Sequence, residues 1–308
     1  MIRIFFSAPG WAEYQPFLPA ALKAAGIEAE IVTEAPEPAS IDYILYAPSS
    51  LLQDFAPFTR AKAVMSLWAG VERIVGNQSL TQPLTRMVDH GLTESMVEYV
   101  TGHVLRHHLG MDRHILNPGH IWDPTCPPLA RQRPVTFLGN GELGLACARA
   151  LQALNFPVKT WGRSEKSIEG IASHHGPEGL APALAGAQIV VTLLPNTPQT
   201  HDILSAQTLA LTAPGAVIIN PGRGPLIDDQ ALLAALDSGQ ISHATLDVFR
   251  IEPLPQDHPF WAHPRVTITP HIAADTRAMT ASDVVAENIR RSEAGLPLLH
   301  LVDRNRGY

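Results

Sequence analysis

Three short stretches of the chain carry an arginine, a glutamate and a histidine, each just after a run able to form a strand. They are Asn220-Pro221-Gly222-Arg223-Gly224, Phe249-Arg250-Ile251-Glu252-Pro253 and Thr269-Pro270-His271-Ile272-Ala273. These three side-chain types together suit hydride transfer to a 2-oxo acid. Arg223, always charged and presenting a fixed fork of donors, would bind the carboxylate and polarise the carbonyl. His271 would give a proton to the developing alkoxide, and Glu252 would orient the ring and stabilise the imidazolium. A positioned acid of this kind is typically worth about 10²–10⁴ in rate. Reduction is then expected to favour lower pH, where the donor is loaded, and oxidation higher pH.

A second constellation would hold the hydride carrier. Val135-Thr136-Phe137-Leu138 runs straight into Gly139-Asn140-Gly141-Glu142-Leu143-Gly144 and then a helix-forming stretch. Three glycines at this spacing carry little information alone, but here a strand precedes them, a helix follows and another strand comes at Val158–Trp161. Gly139 would allow the tight turn, Gly141 close approach of a pyrophosphate, and Gly144 close packing of helix on strand. The helix N-terminus offers free N–H donors to the phosphates. A site for NAD places an acid about 20 residues further on, to hold the ribose hydroxyls. This chain has Trp161-Gly162-Arg163-Ser164 there. Arg163, aided by Ser164 and Lys166, is expected to bind a 2′-phosphate through charge-assisted hydrogen bonds, so NADP(H) is expected over NAD(H).

The elements that must position these residues alternate between apolar runs and helical patterns, which predicts an α/β fold with parallel sheets. In the first third the strands are expected at Ile2–Phe6, Glu30–Val32, Tyr43–Tyr46 and Ala63–Leu67, with a helix at Phe17–Ala25. A long helix is expected from Ser95 to Leu109, with Ser95 and Glu98 as a capping box and Gly110 as its stop. The segment Met111–Pro134 reads as a loop rich in Pro and His. Six strands follow: Val135–Leu138, Val158–Trp161, Gln188–Leu193, Ala216–Asn220, Ala244–Val248 and Val266–Thr269. Helices are expected at Glu142–Leu154 and Asp229–Ser238, and a last one at Ala278–Glu293. That is the requirement of a doubly wound dinucleotide-binding sheet, whose strand ends line the ligand crevice. The expected domains are residues 95–277 for the cofactor, inserted into a substrate domain of residues 1–94 and 278–308.

Composition excludes other classes. The 308 residues are 45% hydrophobic and 17% charged, which fits neither disorder nor a fibrous repeat. With 22 Lys and Arg against 29 Asp and Glu, the formal charge of −7 argues against generic nucleic-acid binding and a polybasic membrane surface. No apolar run approaches the roughly 20 residues of a membrane span, and the start lacks a signal-peptide pattern, so a cytoplasmic location is expected. Two cysteines, Cys126 and Cys147, make no disulfide framework.

Taken as continuous text, the chain resembles the D-isomer-specific 2-hydroxyacid dehydrogenases. The matching blocks are Gly139–Gly144, Ile219–Asp228, Leu246-Asp247-Val248-Phe249, Glu252-Pro253-Leu254-Pro255 with His258-Pro259-Phe260-Trp261, and Thr269–Ala273. The likeness is strong from about residue 92 to 277. Before that it rests mainly on Trp68-Ala69-Gly70-Val71-Glu72, which looks like the family's Gly-Ala-Gly-Val-Asp loop, whose N–H groups bind the substrate carboxylate. Trp68 replaces the first glycine of that loop, and where the family has Ala-Arg-Gly this chain reads Pro221-Gly222-Arg223, which leaves the arginine in place.

Trp161-Gly162-Arg163-Ser164 and Glu94–Leu105 are similar to the glyoxylate/hydroxypyruvate reductase A type. The resemblance implies two Rossmann-like or flavodoxin-like domains and NADPH-dependent reduction of glyoxylate or hydroxypyruvate, to glycolate or D-glycerate. It also implies a homodimer formed through the cofactor domains, with the loop around Trp122 near the partner's active site. By the same resemblance, Leu194 and Pro195 line the nucleotide together with the Asn220-Pro221-Gly222 turn and Ala273, and Asp247 meets the nicotinamide carboxamide. Trp68, Ala69, Gly70 and Tyr46 would contact or wall the substrate.

Rival readings are another 2-oxo acid (larger aliphatic or aromatic, phosphoglycerate or phosphonate) and a nucleotide-sensing corepressor-like protein. Fourteen histidines raise the question of a metal. His103 and His107 have the i, i+4 spacing of helix-borne ligands, but they fall in the same helical arc as Met96 and Val100 and are expected to be packed or at an interface, with no metal. His174 and His175, in a stretch bounded by Gly and Pro, read as surface residues, and His258 and His263 as turn formers.

Overall fold

The computed structural model of the chain describes residues 1–304, 306 and 307. Its backbone divides into two compact units, Met1–Leu92 with Asp275–Tyr308, and Thr93–Ala274.

In the first unit the chain runs β1 (Ile2–Ser7), α1 (Trp11–Tyr14), α2 (Leu18–Ala24), β2 (Ala29–Val32), β3 (Tyr43–Tyr46), β4 (Ala63–Ser66) and β5 (Leu84–Thr85). The sheet is parallel, in the order β2-β1-β3-β4-β5. Tyr43–Tyr46 and Ala63–Ser66 are buried along their whole length, so their apolar runs do not alternate as those of a half-exposed strand would. The strand β5 is an addition to the sequence reading, since two residues make no recognisable run.

Next comes α3 (His90–Leu109), which starts five residues before the expected Ser95. The Ser95–Glu98 capping box is therefore corrected: both lie inside the helix. Asp89 supplies the cap instead, its carboxylate accepting the Leu92 N–H at 3.3 Å. The stop at Gly110 is as expected. With φ of 62° it takes the left-handed conformation, and the Met111 N–H then reaches the Arg106 carbonyl at 3.0 Å.

The second unit continues with α4 (Asp112–Ile115), β6 (Val135–Leu138), α5 (Glu142–Ala153), β7 (Val158–Gly162), β8 (Ala172–His175), α6 (Gly176–Leu184), β9 (Ile189–Thr192), α7 (Ala206–Leu209), β10 (Ala216–Asn220), α8 (Asp229–Ser238), β11 (Ile241–Leu246) and β12 (Val266–Ile268). The sheet has seven parallel strands in the order β12-β11-β10-β9-β6-β7-β8, not the six expected. The extra strand, β8, carries His174 and His175. Ala-Ser-His-His at a sheet edge is half-exposed and presents no apolar run to find. Finally α9 (Ala278–Glu293) returns to the first unit and packs Ala281, Val285 and Ile289 into its core.

The order of the seven strands reverses between β6 and β9, the position outside whose carboxyl ends open α/β sheets bind their ligands. No helix among the described residues is long and apolar enough to cross a membrane.

Candidate active site

The glycine loop leaves β6 at this switch point. Gly139 has φ of 120°, and a Cβ there would lie 2.4 Å from the Leu193 carbonyl oxygen, in the turn after β9. A Cβ on Gly144 would lie 2.1 Å from the Gly139 carbonyl oxygen. Both positions admit only glycine. At Gly141, by contrast, a Cβ would meet no protein atom within 4 Å. The backbone there is bare where a phosphate must come close.

Helix α5 begins at the next residue, Glu142, and no side chain caps it among the described residues. Its first N–H groups stay available for an anion. Asn140 is 7% exposed, and its buried Nδ2 has no partner among the described residues. An orphaned donor, an open cradle and an uncapped helix end all fit a dinucleotide. Leu193 and buried Leu194 follow β9 beside the loop, and the Pro195 carbonyl is held by the Thr200 hydroxyl at 2.6 Å.

At the end of β7, Trp161 is buried with its indole N–H on the Gly176 carbonyl, while Arg163 and Ser164 are exposed. Lys166 turns back and donates to the Asn140 carbonyl at 2.7 Å. It therefore pins the glycine loop, a task sequence spacing did not show.

The ends of β10, β11 and β12 carry the polar groups. Asn220 accepts the Thr192 hydroxyl at 2.6 Å and the Gly222 N–H at 3.1 Å, and donates to the Arg223 carbonyl at 3.0 Å. The Pro221-Gly222-Arg223 turn is thereby locked from beneath, and Arg223 stands half-buried in an extended conformation. Glu252 accepts the Phe249 N–H on Oε1 at 2.8 Å and pairs through Oε2 with His271 Nδ1 at 2.7 Å. This contact assigns the proton to Nδ1 and leaves Nε2 as the atom that meets a reactant. The imidazole is 52% exposed, as a group that meets a ligand must be. Beneath it lies Asp247, fully buried, whose carboxylate accepts the Thr269 hydroxyl and the N–H groups of Ile272 and Ala273.

The family model for the D-isomer-specific 2-hydroxyacid dehydrogenase NAD-binding domain matches residues 103–273. The chain belongs to that family. It is accordingly an NAD(P)-dependent oxidoreductase, and its relatives are of the glyoxylate/hydroxypyruvate reductase A type. The enzyme of that name from Serratia proteamaculans is 44% identical over 81% of this chain and 82% of its own length. The one from Yersinia enterocolitica is 38% identical over 96% and 98%.

Among solved structures, a D-isomer-specific 2-hydroxyacid dehydrogenase from Xanthobacter autotrophicus Py2, in complex with NADPH and MES, has a TM-score of 0.90 at 38% identity. The match covers 100% of this chain and 99% of that one. The NADPH-dependent glyoxylate/hydroxypyruvate reductase of Sinorhizobium meliloti, with NADP and sulfate, has a TM-score of 0.86 at 33% identity over 100% of both chains.

In this dehydrogenase the expected substrate residues of the first unit behave differently from one another. Trp68 is 45% exposed, and its backbone is held by Ser66 and by the Met87 N–H. Ala69 and Gly70 follow it, half-exposed. Tyr46 is corrected from a pocket wall to a core side chain: it is 3% exposed, with its ring edge-on to Phe55. The final residue of a fully buried strand has its ring carried into the sheet's apolar layer.

His103 and His107 of α3 are half-buried against neighbours, but in company that spacing did not show. His107 Nε2 meets the Thr245 hydroxyl at 2.9 Å, and its ring lies 4.8 Å from that of His243, which meets Thr267 in the same way. With Asp112, these two offer three ligand-type atoms within 4.8 Å of one another. Asp112 is already paired with Arg106 at 2.7 Å, so the guanidinium supplies the positive charge there. Turn roles hold for the other two: His258 accepts the Phe260 N–H, and His263 accepts the Arg265 N–H.

Burial pushes both paired rings below the ordinary imidazole value of 6.5, to about 3 for His107 and about 4 for His243. The proximity of His243 lowers His107 further, and that of Arg106 lowers His243. The unfolded chain protonates these rings as pH falls through 6.5, and the folded chain only near 4 and 3. Their contribution to stability is therefore complete above 6.5 and is lost on the way down. The fall in Tm between neutral pH and pH 4 should be shallower in His107→Gln than in the parent. Parallel falls would show that the ring does not resist protonation.

Proposed function

We propose that this dehydrogenase reduces a small 2-oxo acid, glyoxylate or hydroxypyruvate, to glycolate or D-glycerate, using NADPH in preference to NADH. The observation that carries the reading is the His271 Nδ1–Glu252 Oε2 pair, which fixes a proton donor with Nε2 outward at the carboxyl end of the sheet, where Arg223 also stands. The nicotinamide, when bound, supplies the hydride to the carbonyl carbon. Arg223 binds the carboxylate and draws charge toward the carbonyl oxygen. His271, entering as the imidazolium with its Nδ1–H on Glu252, passes the Nε2 proton to that oxygen as the C=O bond becomes C–OH, and Glu252 holds the neutral ring that remains. Substrate contacts from Trp68, Ala69 and Gly70, which the family likeness implies, are part of this reading.

The cofactor assignment is supported by Arg163 and Ser164 standing where an NAD site has an acid, and by the NADPH and NADP bound to the Xanthobacter and Sinorhizobium relatives. A homodimer through the cofactor domain is supported by the run of exposed apolar side chains in the second unit at Ile115, Leu116, Ile121, Trp122 and Leu129, with Trp122 92% exposed.

Purified protein mixed with glyoxylate or hydroxypyruvate should consume NADPH rapidly and NADH slowly, read by absorbance of the reduced cofactor. Tight nucleotide binding with no turnover would overturn the substrate assignment and send the search to larger 2-oxo acids.

A further inference from the structure

His271 has φ of 55°, the left-handed backbone that non-glycine residues adopt at a cost of about 1–3 kcal/mol. Such a conformation persists only where the surroundings over-determine it. Here Asp247 grips it from two sides. Its backbone carbonyl accepts the His271 N–H at 2.8 Å, and its carboxylate accepts the next two N–H groups, of Ile272 and Ala273, both at 2.9 Å.

The carboxylate is in turn held from behind. Thr269 Oγ1 lies 2.6 Å from Asp247 Oδ1 and 2.7 Å from the Tyr99 hydroxyl on α3. A carboxylate only accepts, so the single hydroxyl proton of Thr269 goes to Asp247. Thr269 then has only lone pairs to offer Tyr99, and the tyrosine must be the donor. The chain has one direction: Tyr99 to Thr269 to Asp247 to the backbone that carries His271. Burial pushes the Tyr99 phenol well above its ordinary value, so it remains a donor at every assay pH.

We infer that Tyr99 and Thr269 are positioning residues, which through Asp247 hold His271 in the left-handed turn that aims Nε2 at the substrate carbonyl. The inference rests on the reading of His271 as the proton donor. Neither residue needs to touch substrate or cofactor. Because a misplacement of about 1 Å at a reacting group can cost about 10²-fold, loosening this chain should act on turnover more than on binding.

The test compares Tyr99→Phe, Thr269→Val and Thr269→Ser in the full-length enzyme, with His271→Ala alone and combined with Thr269→Val. Thr269→Val should lower kcat by about 10-fold or more and Tyr99→Phe by a smaller factor, with KM and nucleotide affinity little changed. Thr269→Ser keeps the hydroxyl and should restore most of kcat, and its folding also guards against a valine variant that fails to fold. Added to His271→Ala, Thr269→Val should cost almost nothing more, since both act on one function.

Parent-like kcat in Tyr99→Phe and Thr269→Val would overturn the inference. So would a serine variant as slow as the valine one, or independent losses in the double variant. If His271→Ala itself turned over normally, the reading of the site would fall first and this inference with it. A slow His271→Ala beside a normal Thr269→Val would sink the inference alone.

Discussion

His271→Ala should lower kcat for reduction by about 10²–10⁴ while nucleotide affinity stays unchanged. The magnitude is that of a positioned general acid, because the carbonyl oxygen must then take its proton from water. The imidazole is half-exposed and its side-chain partner, Glu252, is 35% exposed, so removing it leaves that carboxylate within reach of water. Folding should be little affected, and thermal melting with and without nucleotide checks this. A second variant separates backbone from chemistry: His271→Asn tolerates a φ of 55° better than alanine and still cannot transfer a proton. Equal, large losses in both variants support the acid–base role. Near-parental turnover in either would sink it.

Arg163→Ala should weaken NADPH binding by about 10–100-fold and leave NADH nearly untouched. The estimate is the ~1.5–3 kcal/mol of a hydrogen bond to a charged group, converted at about 1.4 kcal/mol per tenfold. Arg163 stands exposed after β7, where the ribose of a dinucleotide is bound in this fold, and Gly162 beside it carries no acid to repel a 2′-phosphate. Titrating both reduced cofactors against the variant decides the matter, and equal losses for the two would mean that Arg163 does not read the phosphate.

The glycine loop and the groups proposed to react stand out in the sequence because each is a short local pattern with a mechanism attached. Gly139-Asn140-Gly141-Glu142-Leu143-Gly144 lies between a strand and a helix, and α5, α8 and α9 begin at the residues their patterns predicted. The errors share a cause. Ser95 and Glu98 look like a cap, yet Asp89 does the capping, since a helix starts where its N–H groups first find a partner and not where one is first available. The strand β8 was invisible because an edge strand with polar side chains has no apolar signature. Tyr46 was placed in a pocket by its type and put in the core by its strand.

From residue order alone came the family, the cofactor class and the succession of strands and helices, because these depend on side-chain type and on periodicities a few residues long. Tertiary structure alone decided which groups serve which. Lys166 holds the glycine loop, His107 meets His243, and Tyr99 reaches Asp247 through Thr269. Such pairings join residues far apart in the chain, and they form only once parallel strands bring their ends to one edge of the sheet. No window of neighbouring residues contains that information. The parallel register of β10, β11 and β12 does: it pairs Asn220 with Leu246 and Leu246 with Ile268, so the next residues, Asp247 and Thr269, come side by side where the Asp247 carbonyl accepts the His271 N–H.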